Sequence, residues 1–291
     1  FYEDPELKFK RLLKTYVDFF PKSIPLILRS LPSWLISKKK WKRNLFKHFL
    51  NSNLSIDPSI LSNNEHHLSH AASAFYCSPF EKSSILVMDG VGEFATTSLW
   101  KGEGNKIQKI DEIHFPDSLG LMYSTFTSYL GFKVNSGEYK VMGLAPYGAP
   151  KYVEIIKENL IFMNGPIFKL NQEYFDYAFS GQMFNENFCK LFGRPARSPE
   201  SELTQFHMDI AASLQSVTEE AILNLCEDVM NRTKNNNLCL AGGVALNCVA
   251  NGKVLKDICL DGLWIQPASG DAGGAIGAAL NYYFNVMGND R

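Results

Sequence analysis

The sequence predicts a mixed α/β fold: a three-strand antiparallel meander followed by alternating helices and strands, with a helical segment ahead of it. Three observations point there. Short apolar runs between 83 and 114 are separated by Asp-Gly and Gly-rich turns. After Met208, apolar residues recur at three- and four-residue steps. The runs Leu238 to Leu240 and Gly262 to Gln266 each lead into a glycine-containing turn. With 291 residues, 45% hydrophobic and 20% charged, the chain can build one large domain or two lobes with real cores, which excludes disorder as its main state.

In chain order, Leu7, Phe9, Leu12, Leu13, Tyr16, Val17 and Phe20 give a wide apolar stripe ending at Pro21, a first helix. A second helix is expected from Trp41 to Leu50, with Pro25 and Pro32 breaking the stretch between into short pieces. Asn63 and Asn64 can cap a helix from Glu65 to Tyr76 that carries three histidines. Ser83 to Asp89, Thr96 to Trp100 and Lys106 to His114 are the meander. Ser118 reads as the N-cap of a helix through Leu130, closed by Gly131 where a left-handed residue is wanted. Residues 148–204 are rich in aromatics without a clean period and predict an inserted cap or connecting helices.

A long helix from Met208 to Thr233 or the Asn235-Asn236-Asn237 cluster follows, on Ile210, Leu214, Val217, Ala221, Leu225 and Val229. Then come the Leu238–Leu240 strand, a helix from Leu246 to Lys256, the Gly262–Gln266 strand and a Gly/Ala helix after Gly270-Asp271. Three strands, helix, strand, helix, strand, helix is the order of the ribonuclease-H-like core of the ASKHA (actin, sugar-kinase and Hsp70) superfamily, in which two such lobes clasp a nucleotide. Residues 1–82 are then the mostly helical remainder of an incomplete first lobe. Residues 83–291 form the second lobe, with 148–204 inserted.

No apolar run approaches the roughly 18 residues needed to cross a bilayer. Six scattered cysteines without a C-x-x-C pair suggest neither a disulfide framework nor a zinc ribbon, and a reducing cytoplasm fits them. The net charge of −1 is uneven, with 12 Lys and Arg against 4 Asp and Glu in residues 1–50. The run Lys38-Lys39-Lys40-Trp41-Lys42-Arg43 could attract phosphate, nucleic acid or an acidic partner, or be a solvated helix face. A chain starting at Phe1 without an initiator Met is expected to be processed or shortened.

His66 and His70, four apart on a helix, project from one face and could share a metal ion, or be ordinary polar histidines. Position 67 is His rather than the Glu of H-E-x-x-H, so the metalloprotease base is absent. Asp89, ending an apolar strand, puts a carboxylate beside Gly90, Val91 and Gly92, whose amides could approach ligand oxygens; a plain hairpin turn explains Asp-Gly equally well. Gly137, Glu138 and Lys140 open a Gly-dense stretch running to Gly148, where Lys140 could pair with a phosphate or carboxylate, or which could be a plain structured loop. Gly242, Gly243, Val244 and Asn247 lie between a buried strand and a helix, where amides can meet phosphate, although the loop is neither a Walker A nor a Rossmann fingerprint. Asp271 is a second candidate oxygen ligand or merely an N-cap.

Taken in order, Glu65-His66-His67-Leu68-Ser69-His70-Ala71-Ala72, Met88-Asp89-Gly90-Val91-Gly92-Glu93, Ser118-Leu119-Gly120-Leu121-Met122-Tyr123, Asn135 through Gly148, and Gly242-Gly243-Val244-Ala245-Leu246-Asn247 resemble the carbamoyltransferase family of nodulation and antibiotic-tailoring enzymes. The likeness is to their Kae1-like module and covers most of the chain. It implies a metal set of His66, His70, Asp89 and Asp271, with Fe2+ the expected ion. The implied reaction is transfer of a carbamoyl group from a carbamoyl adenylate to an acceptor hydroxyl. The Gly90–Gly92 turn, Gly137, Glu138, Lys140, the Gly242–Asn247 loop and Asp271 would then hold the adenylate. His66, His70, Asp89, Glu138 and Lys140 are the implied catalytic set, with Glu138 and His67 candidates for the base.

The resemblance also implies that ATP and carbamoyl phosphate enter through a second, YrdC-like module, and that about 50 to 80 residues carrying a hairpin with a His-Asp pair precede this segment. Without them, the 291-residue piece is not expected to run the whole reaction. The partners expected are a small hydroxyl acceptor and no membrane, with a homodimer left open. A threonylcarbamoyl-type transferase acting on tRNA is the nearest rival, although a charge patch without stacking motifs does not carry nucleic-acid binding far. A non-catalytic nucleotide-binding piece and a sugar-kinase-type phosphotransferase are the others.

Overall fold

The computed structural model describes residues 4–33 and 62–291. The expected Trp41–Leu50 helix and the basic run lie outside them. Helix α1 (Pro5–Asp18) starts where Asp4 accepts the Glu6 and Leu7 amides on its side chain, with Pro5 at the first position, where no N–H is needed. Helix α2 (Ile24–Ser33) is continuous, contrary to the expectation that Pro25 and Pro32 break it. Pro25 occupies the first turn, where its amide would have no intrahelical partner, and Pro32 falls in the last. Helix α3 (His66–Phe75) carries the three histidines.

Strands β1 (Lys82–Met88), β2 (Ala95–Glu103) and β3 (Lys106–His114) form the antiparallel meander. Helix α4 (Leu119–Tyr129) begins at Ser118, whose hydroxyl accepts the Leu121 amide, and ends before Gly131 at φ +74°. Residues 138–204 then give α5 (Glu138–Leu144), α6 (Val153–Asn159), the hairpin β4 (Ile161–Asn164) with β5 (Ile167–Leu170), and α7 (Glu186–Leu191). Helix α8 (Gln205–Thr233) is 29 residues long, and β6 (Asn237–Ala241), α9 (Cys248–Asp257), β7 (Gly262–Ile265) and α10 (Gly274–Leu280) follow, the last continued by a π-helical segment, Asn281–Val286.

The main sheet has the order β3-β2-β1-β6-β7, with β6 parallel to both β1 and β7. Side-chain alternation along β1 separates two cores. Leu86 and Met88 face the larger one, with Leu214, Val217 and Leu225 of α8, whereas Ile85 and Val87 face the smaller one under α3, with Ala71, Ala72, Phe75, Trp100 and Cys239. The small Ala71, Ala72 and Ala74 let α3 lie close on the sheet, and this fixes the height of its histidines at the carboxyl ends of the three parallel strands. In open α/β sheets that edge is where ligands bind.

Asp209 fastens the loop before α6 to α8. Its carboxylate accepts Ala149 N, Lys151 Nζ and Gln205 Nε2. Burial would raise its pKa, but these bonds win and hold it down at about 2. A carboxylate depressed in the folded state contributes stability that is present above its ordinary value of 3.8 and lost as pH falls through about 2. Urea unfolding at decreasing pH should therefore show the parent losing stability between about pH 4 and 2, with Asp209→Asn already weaker at neutral pH and losing less over that window. Equal acid slopes for the two proteins would contradict this.

Candidate metal centre and adjoining pocket

Three loops at the carboxyl ends of β1, β6 and β7 meet the first turns of α3. From α3, His66 and His70 direct their Nε2 atoms at one another, 3.1 Å apart. From the turn after β1, Asp89 Oδ2 lies 2.9 Å from His66 Nε2 and 3.6 Å from His70 Nε2. Asp271, beyond β7, brings Oδ1 to 3.5 and 3.6 Å from the same nitrogens. The four donor atoms all lie within 4.8 Å of one another. Both histidines are buried, Asp89 is half-buried and Asp271 is exposed.

The electrostatics follow from this crowding. Burial would push the Asp89 carboxyl up, but the hydrogen bonds with His66 and His70 outweigh it and hold the group well below the usual range. Burial would likewise push His70 down, yet its bonds to Asp271 and Asp89 raise it to about 9. Two imidazole nitrogens facing each other across two carboxylates need a cation between them, either a proton or a metal ion. The residues present fit a divalent metal on that ground: two nitrogen and two carboxylate donors suit a borderline ion such as Fe2+, Zn2+ or Mn2+. His67 is different. Its Nδ1 bonds Ser98 Oγ at 2.7 Å, and burial lowers its pKa to about 3, so the ring is neutral and part of the core.

Asp89 also belongs to a second feature. Its Oδ1 accepts the Gly243 amide at 3.2 Å, which joins the four-donor cluster to a cavity of about 610 Å³. That volume is in the range of small-molecule sites. Of the residues singled out from the sequence, Asp89, Gly90, Glu138, Gly243, Val244, Asn247 and Asp271 line it. Val91, Gly92, Gly137, Lys140 and Gly242 are not among its lining residues. Lys140 is exposed, with its ammonium over the Phe132 ring. Gly242, at φ +90°, serves a close approach: a Cβ there would stand 2.0 Å from the Met88 carbonyl oxygen.

Two lining side chains are already engaged. Glu138 accepts from Ser124 Oγ and from the Asn135 and Gly137 amides, so it braces its own loop. Asn247 caps α9 through the Ala250 amide and exchanges hydrogen bonds with Gln215, which in turn accepts from the Tyr123 hydroxyl. Gln215 escapes a sequence reading, as do the partners of Ser118. Ser118 Oγ donates to Gly90 O at 2.7 Å or to Asp89 O at 3.1 Å, so the cap of α4 fastens the Asp89 turn. Ser118 was visible as a cap, but nothing local gives its partners, which lie 28 and 29 residues away.

No helix of the described residues is long and apolar enough to cross a membrane. The family profile described as Carbamoyltransferase N-terminus matches residues 1–280. An uncharacterized protein of Synechocystis sp. is 54% identical over 294 residues, covering 100% of this chain and 48% of that protein. Nodulation protein NolNO of Sinorhizobium fredii is 38% identical over 229 residues, covering 77% of this chain and 32% of its own length. Among solved structures, T. kodakarensis HypF aligns with a TM-score of 0.44 at 13% identity, over 86% of this chain and 40% of that one. The chain thus spans about half or less of the length of these relatives. A profile match running from the first residue past the Asp271 loop takes in every donor of the cluster, and the chain belongs to the carbamoyltransferase family.

Proposed function

We propose that this chain is the part of an O-carbamoyltransferase that holds a divalent metal, with Fe2+ the expected ion, beside a carbamoyl adenylate, and passes the carbamoyl group to an acceptor hydroxyl. The observation that carries the reading is that Asp89 belongs at once to the four-donor cluster and to the wall of the 610 Å³ cavity. On this reading the fold is the ASKHA, Kae1-like one. Residues 1–82 are the remainder of its first lobe, 83–291 the second, and the packing of α3 on the sheet is the seam between them. ATP and carbamoyl phosphate reach the site through a YrdC-like module, and the protein works in the cytoplasm.

The chemistry asks little covalent work of the protein. The acceptor oxygen attacks the carbamoyl carbon, a new C–O bond forms, the bond from that carbon to the phosphate oxygen breaks, AMP departs with the electron pair, and the acceptor's hydroxyl proton passes to a base. A metal bound by His66, His70, Asp89 and Asp271 supplies Lewis-acid polarisation of carbonyl or phosphate oxygens. The chain's own residues shape and orient. Leu121, Met142, Val244 and Leu246 offer an apolar wall to a flat base, and the tethered Glu138 and Asn247 keep the surrounding loops in place. Glu138, which lines the cavity, is the better placed of the two base candidates, because His67 is not among the lining residues.

The test is elemental analysis of anaerobically purified protein, the parent against a His66→Ala, His70→Ala double variant. Near-stoichiometric iron or zinc in the parent and its loss in the variant are expected. Equal metal in both would sink the assignment of the cluster.

A further inference from the structure

We propose that Glu93 is the positioning residue of this centre: its buried carboxylate holds the first turn of α3 against the Asp89 turn and thereby sets where the His66 and His70 rings point. The inference rests on the metal reading above and deepens it. Glu93 is 4% exposed, and both of its carboxylate oxygens lie 3.1 Å from the His66 amide nitrogen, which donates to them. One of them also accepts the Asp4 amide, just before α1, at 2.7 Å. A carboxylate is kept out of water at this cost only where donors and a favourable field compensate, and a helix start supplies both.

The expected local cap of α3 is not what the structure has. Asn64 turns its amide to Ser69 Oγ, and Glu65 at the N-cap position makes no side-chain cap bond. The first amide of the helix is therefore met from 27 residues away in sequence. The cap and a metal donor come from one short turn, since only Gly90, Val91 and Gly92 separate Asp89 from Glu93. Gly92 presses the turn onto the helix: a Cβ there would stand 3.1 Å from His66 Cβ and Cδ2 and from His67 Cδ2. Arg11 of α1 donates to Gly92 O at 3.0 Å, which clasps the turn from its other side. His66 is the first residue of α3 and His70 lies one turn on, so a slip of that turn moves both rings relative to Asp89. Metal constellations tolerate errors of only about 0.5 Å.

The experiment uses the full chain with Co2+ as probe, whose visible absorption reports its ligand set. Parent, Glu93→Ala, Glu93→Gln and the His66/His70 double-alanine variant are titrated anaerobically. Glu93→Ala should weaken Co2+ binding about 10- to 100-fold and change the spectrum, with Glu93→Gln falling between parent and Ala. A merely structural Glu93 would lower the melting temperature and leave both affinity and spectrum at parent values, which overturns the proposal. In parallel, ¹⁵N-histidine spectra of the metal-free proteins should show the His66 and His70 ring signals displaced in the Glu93 variants and that of His207 unmoved. Unmoved His66 and His70 signals overturn the proposal whether or not the parent binds Co2+. Displaced signals with no Co2+ binding by the parent uphold Glu93 as the positioning group and reject the metal reading alone. If Glu93→Ala does not fold, Glu93→Gln carries the decision: parent affinity and parent ring signals there overturn the proposal.

Discussion

Asp89→Ala should lower divalent-metal affinity by at least about 100-fold, and Asp271→Ala by no more than about tenfold, although the two carboxylates face the same pair of rings. Their surroundings differ. The Asp89 side chain is 14% exposed and Asp271 is 62% exposed, so water competes for the second far more than for the first. Asp89 is also held ionised by the His66 and His70 bonds, which outweigh its burial, and it is the closer donor, 2.9 Å from His66 against 3.5 Å for Asp271. Removing it takes away the anchor of Gly243 as well, so AMP binding in the cavity should weaken together with metal binding. Calorimetric titration of each variant with Co2+ and then with AMP checks the ranking. Equal losses for the two carboxylates, or AMP affinity untouched in Asp89→Ala, would count against the shared role.

Phe188→Ala should cost about 3 to 5 kcal/mol of stability. The ring is fully buried and lies between five others, Phe126, Tyr129, Phe175, Phe184 and Phe192, with centroids 5.1 to 6.1 Å away. A cavity of phenyl size at that hub cannot collapse without moving α4, and α4 begins at Ser118, which fastens the Asp89 turn. Phe162→Ala is the control: that ring is 50% exposed on β4 and its loss should stay within about 0.5 kcal/mol. Urea unfolding of both variants measures the difference. Comparable losses would mean that the aromatic cluster is not a tightly packed core.

The structure answers what the aromatic-rich stretch 148–204 is without a clean period for. Its Phe175, Phe188 and Phe192 pack into the same core as Phe126 and Tyr129 of α4 and Phe206 and Ile210 of α8. Such a segment has no period because it fills space between elements rather than presenting one face to them. The long helix, by contrast, was legible as an element, although it starts at Gln205 rather than Met208, because α8 keeps one continuous stripe against the sheet from Ile210 to Val229. The interruption expected at Pro25 and Pro32 did not occur, since both prolines sit in end turns, where backbone bonds are missing anyway.

The meander and the alternation of helices and strands after it were determined by the sequence alone, because each is written in local spacing, as two-residue alternation or four-residue steps; spacing left His66, His70, Asp89 and Asp271 as open candidates, and only the family resemblance implied them as one set of donors. The tertiary structure decided which neighbours serve those donors. It turned Glu93 rather than Asn64 toward the start of α3, sent Lys140 out over Phe132, tied Asn247 to Gln215, and tethered the Asp89 turn to Ser118 and Gly243. These pairings join residues 8 to 154 positions apart in the chain. For all of them except the exposed Lys140, burial makes the pairing necessary, since a polar group removed from water must find a partner wherever the fold offers one, and that is a property of the packed chain rather than of any local pattern.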